Sequence, residues 1–288
     1  MGRTYDTVSF LTDYGLDDEF VGVVKSVLRD MAPHLTVVDL THGVRPFDVR
    51  GGSLALARSI SYVAEGIVLA VVDPGVGTSR RAVAIEVADG AGVLVGPDNG
   101  LLAPAVAIIG GAERAVELTN PALHLPAPGA TFAGRDVFAP VVAHLSNGVD
   151  LTELGPLVDP DLLMPGMVAL PREEPDGIHA EVLWVDRFGN CQLNVGPDDL
   201  APGADVWTVT IDAERRTAKL AASYGELASG SVGLVLDSHG LYSLSFDQRS
   251  AAQELGIAAG DLVILTAIED EPPSPVAVTS PVTLRRER

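Results

Sequence analysis

The run Val71-Val-Asp-Pro-Gly-Val-Gly-Thr-Ser-Arg-Arg81 constrains the fold more than any other stretch of the chain. The apolar segment from Gly66 to Val72 reads as a strand, and it stops at Asp73. Pro74 has no N–H with which to extend a sheet ladder, and Gly75 permits the turn that follows. A short glycine loop then delivers two arginines. Asp73 and Arg80, seven positions apart, thereby stand at the mouth of a sheet. Open α/β folds keep their ligands there. The loop is too short for a Walker phosphate cradle and lacks its Gly-Lys-Ser/Thr ending, so a nucleoside triphosphate fits the pair poorly.

The flanking sequence alternates strand and helix patterns. Thr7 to Thr12 is an apolar run ending at Asp13 and Gly15. Asp17-Asp-Glu19 is expected to place acids, Asp18 among them, in a first helical turn, with Phe20, Val23, Val24 and Val27 following at helical spacing. Leu35 to Leu40 reads as a strand, Asp48 to Val63 as a helix. Ala82 to Val87 and Val93 to Gly96 read as strands joined by a turn at Asp89-Gly90. A helix over Gly100 to Ile109, a strand over Ala115 to Leu118 and a helix over Phe138 to Leu145 follow. Such alternation predicts a mostly parallel sheet covered on both faces, in an α/β domain over 1–170.

The pattern changes between Leu157 and Ile178, where the Pro- and acid-rich stretch Pro171–Gly177 reads as a boundary. Beyond it come short strands with turns, at Ala180 to Val185, Val206 to Ile211, Ser231 to Leu236, Leu241 to Phe246 and Leu262 to Thr266. Helical spacing persists only at Ala251 to Leu255. A smaller all-β domain over 178–288, a barrel or sandwich, is predicted. The tail after Pro272 is rich in Pro and Arg and is expected to fray.

Composition narrows the function classes. A net charge of −20 argues against nucleic acid and anionic membrane as partners, because binding phosphates takes clustered Lys and Arg. The single cysteine, Cys191, excludes an internal disulfide framework and a cysteine-based zinc site. No apolar leader opens the chain and no apolar run reaches membrane-spanning length, so a soluble cytoplasmic protein is expected.

Several constellations could carry chemistry. Asp13, Asp18 and Asp73 near one sheet edge could bind a metal, a diol or an amine, although an Asp after a strand is often a turn former or a cap. No His-x-x-His or Asp-x-Asp-x-Asp spacing supports a metal. His42 reads as structural. Gly96-Pro-Asp-Asn-Gly100 reads as a tight turn explained by turn chemistry alone. In Asp186-Arg-Phe-Gly-Asn190, Phe188 could stack on a planar base while Asp186 and Asn190 supply an acceptor and a donor, or the segment could be an ordinary hairpin turn.

These pieces together resemble one family. The residues that carry the likeness are Leu11-Thr-Asp-Tyr-Gly15, Asp39-Leu-Thr-His42, Val72-Asp-Pro-Gly-Val-Gly-Thr78 with Arg80, Gly96-Pro-Asp-Asn-Gly100, Thr131-Phe132 with Gly134-Arg-Asp136, Phe188-Gly-Asn190, and Ser238 with Gly240. They resemble the S-adenosyl-L-methionine (SAM) hydroxide adenosyltransferases, or SAM hydrolases, relatives of the fluorinases and chlorinases. The resemblance implies attack of water at C5′ of SAM, giving adenosine and L-methionine, with SAM as substrate and neither cofactor nor metal. It implies that Asp73 and Arg80 hold the water, that Asp13 holds the ribose hydroxyls and that Asp18 lies near the methionine end. Phe47 and Phe132 would lie at the substrate, and Asp186, Phe188, Asn190 and Ser238 would contact its methionine and adenine ends. It further implies a homotrimer with each site shared between subunits. The halogenases carry Tyr where this chain keeps Asp73, which places it with the water-using branch. One position departs: the family's third water-holding residue, a His, is Ala133 here. The resemblance therefore implies impaired turnover, with SAM or adenosine binding without turnover as the alternative and halide transfer as a weaker one.

Overall fold

The computed structural model describes residues 2–268. The chain divides into two compact units, one running to Val168 and the other starting at Ala169. The tail after Pro272 lies outside the described residues.

The first unit is an α/β domain. Its strands are β1 (Thr7–Thr12), β2 (Thr36–Thr41), β3 (Gly66–Val71), β4 (Ala82–Val87), β5 (Gly92–Pro97), β6 (Arg114–Glu117) and β7 (Leu157–Val158). They form one seven-stranded sheet in the order β2-β1-β3-β5-β4-β6-β7. β2, β1, β3, β5 and β6 point one way; β4 and β7 oppose them. Its helices are α1 (Phe20–Met31), α2 (Val49–Ile60), α3 (Ala103–Ile109) and α4 (Ala139–Ser146).

β3 shows why the sheet needs cover on both sides. Every residue in it is buried. Ile67, Leu69 and Val71 join the core that holds Val24 and Leu28 of α1 and Val141, Val142 and Leu145 of α4. Val68 and Ala70 join the opposite core, with Leu56 and Ile60 of α2 and Ala105 of α3. Side chains alternate across a strand, so an unbroken apolar run fills two cores at once.

The crossover from β1 through α1 leads to β2 on one side, and the crossover from β2 through α2 leads back to β3 on the other. The carboxyl ends of β1 and β3 therefore adjoin at the topological switch point, with Thr12 paired to Val71. That geometry opens a crevice for ligands.

Local differences from the sequence expectation have local causes. Asp17, Asp18 and Glu19 precede α1 instead of forming its first turn, since the helix begins at Phe20. Short acidic side chains favour positions just outside a helix, and Phe20 is the residue that enters the aromatic packing. Asp48 caps α2 instead of lying within it, accepting a 2.8 Å hydrogen bond from the Gly51 amide. α4 is preceded by a π-helical turn, Gly134–Phe138, a form that recurs at functional sites.

The second unit is a closed barrel. Its strands are β8 (Arg172–Glu174), β9 (Gly177–Val185), β10 (Cys191–Leu193), β11 (Val206–Ile211), β12 (Glu214–Ala221), β13 (Gly233–Leu236), β14 (Tyr242–Ser245) and β15 (Leu262–Ala267), with one short helix, α5 (Ala251–Leu255). Seven of them close a ring, β9-β10-β14-β13-β12-β11-β15 and back to β9, and β8 attaches to β9 outside it. Closure removes the sheet's free edges. Trp207, Val182, Leu193, Val209, Leu234 and Leu265 fill the interior. The Trp207 indole N–H is satisfied by the Ala204 carbonyl at 3.0 Å.

Candidate active site

At the switch point, the Asp73 carboxylate and the Arg80 guanidinium form a two-pronged ion pair. Arg80 Nε donates to Asp73 Oδ1 at 3.0 Å, and an Nη of the same guanidinium donates to Oδ2. The two side chains are only 5% and 12% exposed, so the pair is shielded from water. Burial pushes the Asp73 carboxyl above its ordinary value, although Arg80 pulls against it. The other Arg80 prong donates to the Arg81 carbonyl at 2.9 Å, and the guanidinium lies 5.7 Å from the Phe138 ring centroid. Arg81 turns away and pairs with Asp98 instead.

The Pro97-Asp-Asn99 turn does more than reverse the chain. Asn99 Nδ2 donates to the Val72 carbonyl at 2.9 Å, fixing the backbone one residue before Asp73. Asp98 accepts from both Arg81 and the Met164 amide. Its roles are invisible from turn chemistry, because each partner is distant in sequence.

Asp13 follows β1. Its Oδ2 accepts the Phe47 amide at 2.8 Å. Phe47 has φ 68°, in the left-handed region, and its side chain stands 73% exposed. His42 is buried and structural: its Nδ1 shares a 2.8 Å hydrogen bond with Thr12 Oγ1, and its Nε2 lies 3.1 Å from Asp39 Oδ1. It ties the end of β2 to the end of β1. Asp18 is exposed ahead of α1.

Tyr14, for which the sequence motif suggests no role, belongs to this cluster. Its ring packs against Phe20 at 5.6 Å and Phe132 at 5.9 Å between centroids, and Phe132 in turn carries the Arg135 guanidinium at 5.0 Å. Burial, and then the charges of Asp13 and Asp73, push its phenol pKa far up. A Cβ built on Gly134 would collide with the Tyr14 hydroxyl, which is why position 134 takes a glycine. Ala133, just before it, packs its methyl against the core.

The barrel carries a second cluster. A cleft of about 410 Å³ is lined by Trp184, Asp186, Asn190, Gln192, Tyr224, Asp237 and Ser238, among others. Asp186 and Asn190 do not stand as independent acceptor and donor. Asp186 Oδ1 accepts the Phe188 and Asn190 amides at 2.9 and 2.8 Å, and its Oδ2 accepts Asn190 Nδ2 at 2.8 Å. Asp186 thus organises the turn that presents Phe188, which is 79% exposed. Asp237 does the same for its own turn, accepting the His239 amide at 2.8 Å and Gln192 Nε2 at 2.6 Å. Sequence reading passes over Trp184, Gln192 and Tyr224, and takes Asp237-Ser-His-Gly240 for a turn with hydrogen-bonding side chains, more structural than functional. The available signal is scarcity, since aromatics make up only 5% of the chain and two of them border polar turns here.

Cys191 is buried beside this cleft, and burial lifts its thiol pKa to about 12, so it is inert. Among the described residues one group could in principle ligate a metal, Glu174, Asp176 and His179, on the β8–β9 hairpin. It includes none of the residues of either cluster.

The comparisons with known proteins agree on both units. The N-terminal domain model of the SAM hydroxide adenosyltransferases matches residues 8–155, and the C-terminal domain model of the same family matches residues 180–264. The chain belongs to the SAM hydroxide adenosyltransferase family. A relative of this family from Salinispora tropica, named (R)-S-adenosyl-L-methionine hydrolase, is 45% identical over 90% of this chain and 97% of its own. One from Thermus thermophilus with the same name is 41% identical over 88% of this chain and 96% of its own. More distant is a fluorinase from Nocardia brasiliensis, 27% identical over 88% of this chain and 94% of its own. A solved structure from Thermotoga maritima superposes with a TM-score of 0.81 at 33% identity, covering 90% of this chain and 99% of that one. This SAM hydroxide adenosyltransferase therefore sides with the hydrolases in sequence and carries the Asp73–Arg80 pair at its switch point.

Proposed function

We infer that this protein is an enzyme that hydrolyses SAM to adenosine and L-methionine. The observation that carries the reading is the shielded Asp73–Arg80 pair at the β1/β3 switch point, in a chain 41–45% identical to curated SAM hydrolases.

The chemistry follows from the pair. A sulfonium makes C5′ electrophilic and leaves as a neutral thioether, so the protein's tasks are to hold water in line and to strip its solvent. Asp73 accepts a hydrogen of the water, and Arg80 fixes the carboxylate. The raised pKa of Asp73 makes it a better proton acceptor than a free carboxylate. The water oxygen bonds to C5′ while the C5′–S bond breaks. The bonding pair goes to sulfur, and the proton passes to Asp73 and then to solvent. No cofactor and no metal enter this scheme. Asp13 would take the ribose hydroxyls. Phe47 and Phe132 would flank the substrate, Asp18 would serve its methionine end, and Phe188, Asn190 and Ser238, on turns that Asp186 and Asp237 hold, would contact it from the barrel. The family likeness also supports a homotrimer in which each site draws on two subunits; light scattering at three times the monomer mass would bear this out.

Ala133 offers no hydrogen bond where the family places His, so turnover is slow. The test is chromatography of SAM incubated with the protein. Adenosine and L-methionine are expected in equal amounts, without halogenated adenosine when chloride or fluoride is supplied. SAM binding with no adenosine above the uncatalysed rate would overturn the hydrolase reading. Ala133→His is expected to raise kcat by roughly 10²-fold or more.

A further inference from the structure

A water held for in-line attack has four positions to satisfy. One lone pair faces the carbon, one hydrogen faces the base, and a further lone pair and hydrogen remain. Asp73 supplies the base. Arg80 commits Nε and an Nη to Asp73 and its other prong to the Arg81 carbonyl. It retains N–H groups for the lone pair but, as a cation with no acceptor, nothing for the second hydrogen. An acceptor beside Asp73 is therefore missing from the scheme.

We propose that the Tyr14 hydroxyl is that group, a second anchor for the reacting water that accepts its non-transferred hydrogen. This rests on the hydrolase reading of the site. Tyr14 follows Asp13 at the end of β1, the strand whose last residue, Thr12, pairs with Val71 of β3. Its backbone is held by the 3.1 Å hydrogen bond from its amide to Thr12 Oγ1. Its ring is held by Phe20 and Phe132. Its hydroxyl abuts Gly134, and Arg80 lies over Phe138 at the other end of the same π-helical turn. The turn thus sets the spacing between phenol and guanidinium. Among the described residues, no side chain or backbone group hydrogen-bonds to the Tyr14 hydroxyl, although the ring around it is well packed. The half-buried hydroxyl thus keeps both its donor and its acceptor positions open for a bound water. Burial, and then the charges of Asp13 and Asp73, keep the phenol protonated. It therefore remains neutral, and its oxygen can accept from the water while its own O–H is free to donate to a carboxylate.

In the reaction, the water oxygen bonds to C5′ as the C5′–S pair moves to sulfur. One hydrogen leaves to Asp73, and the other stays on the new 5′-hydroxyl, directed at Tyr14 Oη throughout. Tyr14 exchanges no proton.

The test is Tyr14→Phe, which keeps the ring and removes only the hydroxyl, measured alone and combined with Ala133→His. Tyr14→Phe is expected to lower kcat about tenfold, the worth of one hydrogen bond made in the transition state, with KM for SAM and the melting temperature unchanged. Ala133→His in the Tyr14→Phe background is expected to restore the loss, since an imidazole at 133 can serve the same hydrogen. Unchanged kcat in Tyr14→Phe overturns the proposal and leaves the hydrolase reading standing. A fall in kcat matched by a higher KM and a lower melting temperature also overturns it, because it would mark a packing role. Absence of adenosine from the unsubstituted protein removes the hydrolase reading and this inference together.

Discussion

The two clusters use carboxylates in opposite ways. At the switch point, Asp73 is shielded, paired to a guanidinium and pushed toward protonation by burial. In the barrel, Asp186 and Asp237 spend their oxygens on backbone amides and on Asn190 and Gln192, which shapes two turns. The first arrangement suits a proton acceptor, since a desolvated carboxylate is more basic. The second suits recognition, since its turns present an aromatic ring and amide edges at fixed positions. A desolvated carboxylate and turn-building carboxylates thus sit on different folds within one chain.

The largest expected break in this comparison is Asp73→Asn. It keeps the shape and removes the base, so kcat should fall by about 10³-fold with KM for SAM little changed, as single-turnover adenosine release would show. A comparable effect from a barrel substitution would erase the distinction between the clusters. Next is Phe188→Ala, expected to raise KM about tenfold at unchanged kcat, because base–aromatic stacking is worth on the order of 1–3 kcal/mol. Loss of kcat there would mean that the barrel takes part in the chemistry.

The subtlest effect is in the pH profile. The folded-state pKa of Asp73 is raised by burial, so its contribution to stability is fully present below the unfolded carboxyl value and is lost as pH rises through the folded value. Catalysis needs the ionised form. The acid limb of kcat/KM is therefore expected above the ordinary carboxylate range, rising where Asp73's contribution to stability declines. A limb at or below that range would remove the case for a desolvated base.

Much of the first unit is legible in the sequence because its cues are local. The apolar run of β3 and the Asp73-Pro-Gly break fix a central strand and its end without any knowledge of partners. The barrel is less legible. β12 carries Glu214, Arg215, Arg216 and Lys219 outward and buries only Ala218 fully, so hydropathy passes over it. Its place is set by pairing with β11 through the whole of Val206–Ile211. β10 is three residues long and gains its identity from β9 and β14 on either side. The same limit applies to site residues. Asp73 and Arg80 announce themselves through seven residues of spacing. Asn99 acts on Val72 and Tyr14 acts beside Gly134, across separations that only the folded chain brings together.

Phe47 carries a consequence for any attempt to stabilise this protein. Its left-handed backbone costs about 1–3 kcal/mol for a residue with a Cβ, and its exposed ring returns almost nothing by burial. Glycine would be the comfortable occupant, and selection for thermal tolerance alone should drift toward it. Such a drift would discard the ring while keeping the amide that Asp13 holds. With the role proposed for Phe47 at the substrate, a library sorted by melting temperature is expected to favour at this position the variants that a library sorted by turnover rejects.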